Sequence, residues 1–399
     1  MKKKMIKRIV LGGICMCGVL LQAMGGEKNV YYYMDEPHMK EVKHLTESEM
    51  KELFRRAEAG EAEAQHDLGI YYGQGVGVKK DYAEAFKWVM AAAKQGLASA
   101  QCTVGQCYLY GKGVEQNIEE AIKWMEKAAN SGDMESCANL GSLYLTGGGG
   151  AEIKPDHKKA AIYIRQAAEA GHVGSCRSIG LMYLQGDGVP QNVELGRHWL
   201  EKAIAQNDAD AKYIMGYKLL SGGEADKKRA VELLEDAVAQ GNTDAACMLG
   251  YAYYEGDVVP QDKERAARLL EVAANPWNMD AVRILGAMYY GGEGVPQDIQ
   301  RGMIYIMCAA YAGDIRSQRN MGAIAYEAGK YAEAREWLQK AAEGGDATSM
   351  LFLGQMYLEG LGGSCDPQKA RKYLESAAAE GIEIPEELQR RLRSSMRTE

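Results

Sequence analysis

Small and apolar residues recur along the chain with a regular period. Each period opens on a small residue, which is followed four and five positions later by an apolar residue and Gly, and three positions further on by Tyr or its substitute. Positions spaced in this way lie on one face of an α-helix. The opening residues are Ala64, Ala100, Ser136, Ser175, Ala211, Ala245, Ala281, Ser317 and Ser349. Neighbouring units are therefore 32 to 39 residues apart.

A second helical stretch follows within each unit. In the second unit, Gly111 and Gly113 interrupt the first pattern, and a new stripe then begins that includes Trp124 and the pair Ala128 and Ala129. Glycine is typical of such turns because it adopts positive φ without steric cost. The pattern predicts an all-α fold of about nine helix-turn-helix units, in which each unit buries its apolar face only by stacking on the next.

The repeated motif resembles the Sel1-like repeat of the tetratricopeptide superfamily. In the first unit it reads Ala64-x3-Leu68-Gly69-x2-Tyr72, then Gly75-x-Gly77-Val78, and finally Trp88-x3-Ala92-Ala93-x2-Gly96. The resemblance extends over about residues 50 to 385. It implies a right-handed α-solenoid, a concave face lined by the first helix of each unit, and a non-enzymatic role as a protein-interaction scaffold or adaptor.

Two units depart from the motif. The unit that opens at Ser317 has Ala328-Gly329-Lys330-Tyr331 in place of the long turn, and is closer to a plain tetratricopeptide unit. The third unit instead has a run of glycines at 147–150, which predicts a flexible insertion.

The ends of the chain predict an export signal and two caps. Residues 1–25 combine a basic start, a short apolar stretch and small residues near Gly25, as in a secretory signal peptide. An uncleaved membrane anchor is the alternative. We expect a linker over 26–45, an N-terminal capping helix over 46–63 that begins with a capping box of Thr46 and Glu49, repeats over 64–384, and a C-terminal capping helix over 385–399. The predicted location is periplasmic or secreted, in a bacterial cell envelope.

Charge narrows the range of partners. The full chain has a formal charge of −8, and removal of the predicted signal leaves 42 basic against 55 acidic residues, or −13. A protein this acidic is a poor ligand for nucleic acid. It is equally unsuited to an anionic membrane surface, so we expect membrane attachment only if the signal is uncleaved.

Seven cysteines would remain after cleavage of the signal. They are Cys102, Cys107, Cys137, Cys176, Cys247, Cys308 and Cys365. An odd number leaves at least one thiol without an intramolecular partner. The sequence is compatible with small buried hydrophobic residues and with disulfides between repeats.

Catalytic and metal-binding motifs are absent from the sequence. There is no His-Glu-x-x-His, Gly-x-Ser-x-Gly, Cys-x-x-Cys or phosphate-binding loop, and the six histidines are scattered. One Ser-x-x-Lys occurs, at Ser48 and Lys51, and β-lactam binding is attributed to cysteine-rich relatives of the repeat family. No Ser-Asp-Asn or Lys-Thr-Gly completes such a site. We therefore predict no enzymatic activity, no cofactor and no metal.

The resemblance also selects the candidate binding residues. The positions two, six, nine and ten after the opening small residue are expected to line the concave face. In the fifth to eighth units these positions offer Tyr213, Tyr217, Tyr251, Tyr254, Arg283, Tyr290, Arg319 and Tyr326. Tyrosine and arginine concentrate binding energy at interfaces, and the two arginines could hold the carboxylates of an extended peptide. Two alternatives stay open: the tyrosines pack between neighbouring helices, or they stack on the sugars of peptidoglycan or another glycan.

Overall fold

The computed structural model describes residues 44–147, 154–275 and 278–395. All regular structure in these ranges is helical, which confirms the predicted all-α solenoid fold. The helices are Glu47–Glu58 (α1), Ala62–Gln74 (α2), Tyr82–Lys94 (α3), Ala98–Tyr110 (α4), Ile118–Asn130 (α5), Met134–Thr146 (α6), His157–Glu169 (α7), Val173–Gln185 (α8), Val193–Ala205 (α9), Ala209–Leu219 (α10), Glu224–Ala239 (α11), Thr243–Glu255 (α12), Lys263–Ala273 (α13), Met279–Gly291 (α14), Ile299–Tyr311 (α15), Ile315–Glu327 (α16), Tyr331–Glu343 (α17), Ala347–Glu359 (α18), Pro367–Ala379 (α19) and Glu386–Ser395 (α20).

The described residues divide into two compact units. The N-terminal unit ends at Met215 and the C-terminal unit begins at Gly216, so that the boundary falls inside α10. Within each unit, even-numbered helices from α2 to α18 are the first helices of repeats and the odd-numbered helices that follow them are the second helices. The second helices α3, α5, α7, α11, α13, α15 and α17 also pack on the first helix of the next repeat, as the stacking of a solenoid requires.

Close contact within a repeat depends on the glycine of the first helix. A Cβ atom added to Gly250 of α12 would lie 2.9 Å from Cγ of Leu270 on α13. Gly322 of α16 faces Leu338 of α17 at 2.6 Å in the same way. A larger residue would therefore separate the two helices of its repeat.

The turn glycines have a different requirement. Gly292 ends α14 with a φ of +69°. Gly294 has a φ of +71°, and an added Cβ atom would collide with the backbone carbonyl of Lys263 at the start of the preceding second helix. The Gly-x-Gly turn thus combines a left-handed backbone with a close approach between repeats.

Helices also cover both ends of the described chain. Thr46 and Glu49 form the predicted capping box at α1: the Glu49 amide donates to Thr46 Oγ1 over 3.3 Å, and the Thr46 amide donates to Glu49 Oε2 over 2.7 Å. Helix α1 packs on α2, and α20 packs on α18 and α19. The short turn predicted in the eighth repeat is present, because α17 begins at Tyr331 after α16 ends at Glu327.

Several predictions fall on residues outside the described ranges. They are the signal at 1–25, nearly all of the linker at 26–45 and most of the glycine-rich insertion of the third repeat. Within the described ranges, no helix has both the length and the apolar character that a membrane span needs.

Candidate functional site

The eight predicted binding residues lie on first helices, and seven of them belong to the C-terminal unit. We call the positions two, six, nine and ten after the opening small residue the first-helix face. Tyr213 lies in the N-terminal unit and is half-buried. Of the seven predicted residues in the C-terminal unit, four are half-buried: Tyr217, Tyr251, Tyr290 and Tyr326. The other three are buried: Tyr254, Arg283 and Arg319.

Both arginines of the predicted site form ion pairs inside the chain. Arg283 Nη2 lies 2.7 Å from Asp280 Oδ1, and its Nε lies 3.8 Å from Asp314 Oδ2. Arg319 Nη1 lies 2.8 Å from Asp346 Oδ1. These residues are only 6% and 7% exposed. Burial and pairing with aspartates leave these guanidinium groups almost no surface for a partner carboxylate, so the geometry does not support the predicted role of the arginines as free carboxylate ligands.

The ion pairs connect successive repeats through helix caps. Asp314 and Asp346 are the N-cap residues of α16 and α18, and each accepts the amide hydrogen of the residue three positions later. Arg177 on α8 makes the same connection to Asp208 in the N-terminal unit. Each arginine therefore fixes the start of the next first helix, where a carboxylate already interacts favourably with the helix dipole.

Tyr254 lies in a small polar cluster with a cation. Its hydroxyl donates to Glu293 Oε2 over 2.9 Å, and Lys263 Nζ donates to the same oxygen over 2.9 Å. The ammonium group also lies 5.4 Å from the centroid of the Tyr254 ring. Burial and the charge of Glu293 raise the pKa of the Tyr254 hydroxyl above its ordinary value. A carboxylate and an aromatic ring thus hold one ammonium ion together.

The next repeat has a similar pair of groups without a bound cation. Tyr290 is half-buried, and burial together with the charge of Glu327 raises the pKa of its hydroxyl. Within the described residues, neither the Tyr290 hydroxyl nor the Glu327 carboxylate makes a hydrogen bond or ion pair. Glu327 is exposed at the end of α16, ten positions after the opening Ser317. We call Tyr290 and Glu327 the open pair.

At the far end of the face, the corresponding groups are occupied by the chain. The Tyr326 ring packs edge-on against Tyr331, with centroids 5.3 Å apart, and against Phe352. Glu359, whose charge helps burial to raise the pKa of Tyr326, pairs with Arg391 of α20 at 2.9 Å. The alternative that tyrosines pack between helices therefore describes Tyr326.

Sequence reasoning missed the two glutamates and the arginine links, although a signal for the links exists. Each of the three arginines lies two residues after the opening small residue of its repeat. In the next repeat, an Asp lies three residues before the opening small residue. Where that cap is the neutral Asn242 or Asn278, the preceding repeat has Tyr213 or Cys247 instead of arginine. No comparable spacing marks Glu293 or Glu327.

The structure also locates the Ser-x-x-Lys of the sequence. Ser48 and Lys51 lie on α1, and Lys51 Nζ pairs with Glu47 Oε1 at 2.6 Å on the surface. In the part of the chain that the structure describes, no three His, Cys, Asp or Glu side chains are arranged to hold a metal ion.

The comparisons with known proteins agree with the repeat pattern. The Sel1 repeat model matches the chain nine times, at 62–97, 98–133, 135–172, 174–208, 209–242, 243–275, 280–314, 315–346 and 347–382. A Sel1 repeat protein from Oxalobacter formigenes is 34% identical over 70% of this chain and 81% of its own, with a TM-score of 0.55. A protective antigen of uropathogenic Escherichia coli strains, which displays an SLR fold, is 29% identical over 84% of this chain and 80% of its own, with a TM-score of 0.49. Comparison with curated proteins gave no match.

Proposed function

The chain belongs to the Sel1 repeat family, whose members are generally protein-interaction scaffolds, and we propose that it holds an extended segment of another cell-envelope protein on the first-helix face of its C-terminal unit. The fold is typically non-catalytic, so the proposed mechanism is recognition and not chemistry. The envelope location rests on the signal peptide expected from residues 1–25.

The observation that supports this proposal most is the cation bound between Tyr254 and Glu293. Beside Tyr254 of this face, Lys263 Nζ lies 2.9 Å from the Glu293 carboxylate oxygen and close to the aromatic ring. The open pair, Tyr290 and Glu327, provides the same two chemical groups one repeat further along. A lysine or arginine side chain of the partner is the ligand that matches them.

The bound segment is therefore expected to be basic where it meets the open pair. This differs from the acidic segment expected from Arg283 and Arg319, because aspartates of the chain already occupy both guanidinium groups. A contact between a cation and an aromatic ring contributes about 0.5–2 kcal/mol, depending on how far water is excluded. The half-buried Tyr290 ring adds apolar contact area.

Affinity capture from the cell envelope tests the proposal. Protein crosslinked to the wild-type chain would be compared with that crosslinked to Tyr290→Ala and Glu327→Gln variants. The matched control is Glu264→Gln, which removes an equal charge from an exposed position on α13. We expect one protein to be retained by the wild type and the control, and reduced at least tenfold in both face variants.

The results that would contradict the proposal are equally specific. If all four proteins recovered the same amount of partner, partner binding would not depend on the open pair. Recovery of glycan alone, unaffected by added salt, would favour the peptidoglycan-associated alternative, because stacked neutral sugars have no charge to screen.

A further inference from the structure

One second helix, α15, has an exposed face that no polar or charged side chain interrupts. On α15, Ile304 and Tyr311 are 57% and 71% exposed, Met307 is 38% exposed, and Cys308 is exposed. Their spacing of three, four and seven residues places all four on one helical face. We call these four residues the α15 stripe.

The corresponding positions of the other repeats show that the stripe is unusual. The second helices align on Ala309 of α15, which forms a small pair with Ala310; the matching alanine is followed by another alanine in six of the other eight, by Ile204 in α9 and by Val238 in α11. The stripe positions lie five, two and one residues before this alanine and two after it. Each of the other eight second helices has a charged residue, Asn, Gln or His at one or more of these positions. In α13, for example, the residue two before the pair is Glu271, which accepts from the Tyr289 hydroxyl and pairs with Arg301.

Unpaired charges of opposite sign lie on the two sides of the stripe. Arg268 on α13 and Glu336 on α17 occupy the same helical position as Ile304, five residues before the small pair. Both are exposed, and neither makes an ion pair or hydrogen bond within the described residues. Contacts between Glu271 and Arg301 and between Tyr311 and Trp337 place α13, α15 and α17 side by side. At the level of Ile304, the surface therefore presents a cation, an apolar side chain and an anion in order.

This order is self-complementary. A two-fold axis parallel to α15 would exchange its two sides, so that Arg268 of one chain faces Glu336 of the other while the two stripes meet. A two-fold interface uses the same patch on both subunits, which such an arrangement satisfies. We propose that a second copy of this chain covers the α15 stripe and forms a symmetric dimer, with Cys308 facing its equivalent across the axis.

The size of the patch is consistent with this occupant. The stripe and the neighbouring Val272 expose roughly 400–500 Å², within the range of large surface patches that mark interaction sites. A stable complex buries about 800 Å² on each partner, so the proposed interface also includes the charged side chains that flank the stripe. The dimer is independent of the proposed partner face, because it uses second helices only.

Sedimentation equilibrium of the purified protein in reducing buffer tests the dimer. We expect twice the chain mass of 43.7 kDa for the wild type and at least a tenfold rise in the dimer dissociation constant for Ile304→Glu. Ile162→Glu is the matched control, since Ile162 is 48% exposed at the corresponding position of α7, next to polar residues. A monomeric wild type, or equal dimerisation of the wild type and Ile304→Glu, would overturn the proposal.

A charge exchange separates the interface from a folding defect. Arg268→Glu and Glu336→Arg should each weaken the dimer several-fold, because each places like charges opposite one another. The double variant should recover most of the lost affinity. If the double variant lost as much dimer affinity as the two single variants combined, the proposed pairing would be excluded.

Mild oxidation provides a third measurement. A disulfide-linked dimer should form in the wild type and in Cys365→Ser, which lacks the other thiol that is exposed in the described part of the chain, but not in Cys308→Ser. Crosslinking that depends on Cys365, or capture of a different protein by the stripe of a monomeric chain, would contradict the proposal.

Discussion

At Arg319, one buried side chain joins two repeats. Its guanidinium holds Asp346, which also accepts the amide hydrogen of Ser349 at the start of α18. Replacement by Met would leave the Asp346 carboxylate without its cation, although its side chain is only 11% exposed. Because an unpaired buried charge is costly, we expect Arg319→Met to reduce stability by about 2–4 kcal/mol.

Urea denaturation followed by far-UV circular dichroism measures this loss. The control is Arg316→Met on the same helix, since Arg316 has no ion pair within the described residues and should change stability by less than about 0.5 kcal/mol. Equal effects of the two substitutions would show that the ion pair contributes nothing specific. Hydrogen exchange should also locate the loosened amides in α16 and α18 for Arg319→Met alone.

The seven cysteines of the described residues differ in their expected reactivity. Burial raises the pKa of the Cys102 thiol to about 12 and that of Cys107 to about 11. Because the thiolate is the reactive form, these two should stay unmodified near neutral pH while the exposed Cys308 and Cys365 react rapidly.

Alkylation of the reduced, folded protein, followed by peptide mass spectrometry, checks this order. Rapid labelling of Cys102 before Cys365 would contradict the burial found here. None of the seven cysteines in the described residues forms a disulfide. The description of cysteines as small buried residues applies to Cys102, Cys137 and Cys176 but not to the two exposed ones.

At the level of helices, most of the fold could be predicted from the sequence. The motif defines both helices of each repeat because glycine is required at fixed positions, as at Gly250 against Leu270. The extra length of α11, which spans 16 residues, was not predicted because its first turn follows no motif position. The polar links were also missed, since they depend on the distance between side chains of different repeats, as for Arg319 and Asp346.

Substitution of Gly250 tests the helix contact directly. In Gly250→Leu, the new side chain would overlap Leu270, and we expect a loss of about 3 kcal/mol or more with partial separation of α12 from α13. Gly291→Ala is the control, because the nearest atom to its added Cβ lies 3.5 Å away and the change should be neutral or stabilising by up to about 1 kcal/mol. The unfolding temperatures of the two variants would be compared with that of the wild type. An equal decrease in both variants would disprove the packing argument.

The candidate site was less predictable than the helices. Residue type and position selected Tyr290, which is half-buried on the first-helix face, and they also selected Arg283, which is buried in an ion pair. Helical periodicity gives the face of a side chain and not its partners. Glu327 was overlooked because a single exposed acid has no distinctive pattern in sequence.

For the whole molecule, the two proposals assign different roles to the two kinds of helix. First helices would bind a partner, and second helices would bind another copy of the chain. A dimer would present two equivalent first-helix faces, so a partner with two basic segments would gain avidity if the faces could be reached together.

Salt should affect partner binding in a way that depends on Glu327. The contact between a basic segment and the open pair is electrostatic and partly exposed, so added salt should weaken it. The decrease in affinity between low and physiological ionic strength should be larger for the wild type than for Glu327→Gln, as measured by fluorescence anisotropy with the captured partner. Identical salt dependence would mean that Glu327 does not meet a cation.

Site-specific photocrosslinking in intact cells tests the central claim most directly. A photoreactive side chain at Gly291, which is exposed beside Tyr290 and has room for a Cβ atom, would be compared with one at the exposed Gln339 on a second helix. Our account predicts a crosslink to one envelope protein from position 291, its absence from position 339, and its loss when Tyr290→Ala is added. A crosslink to that envelope protein from position 339 alone, or one from position 291 that survives Tyr290→Ala unchanged, would contradict our account.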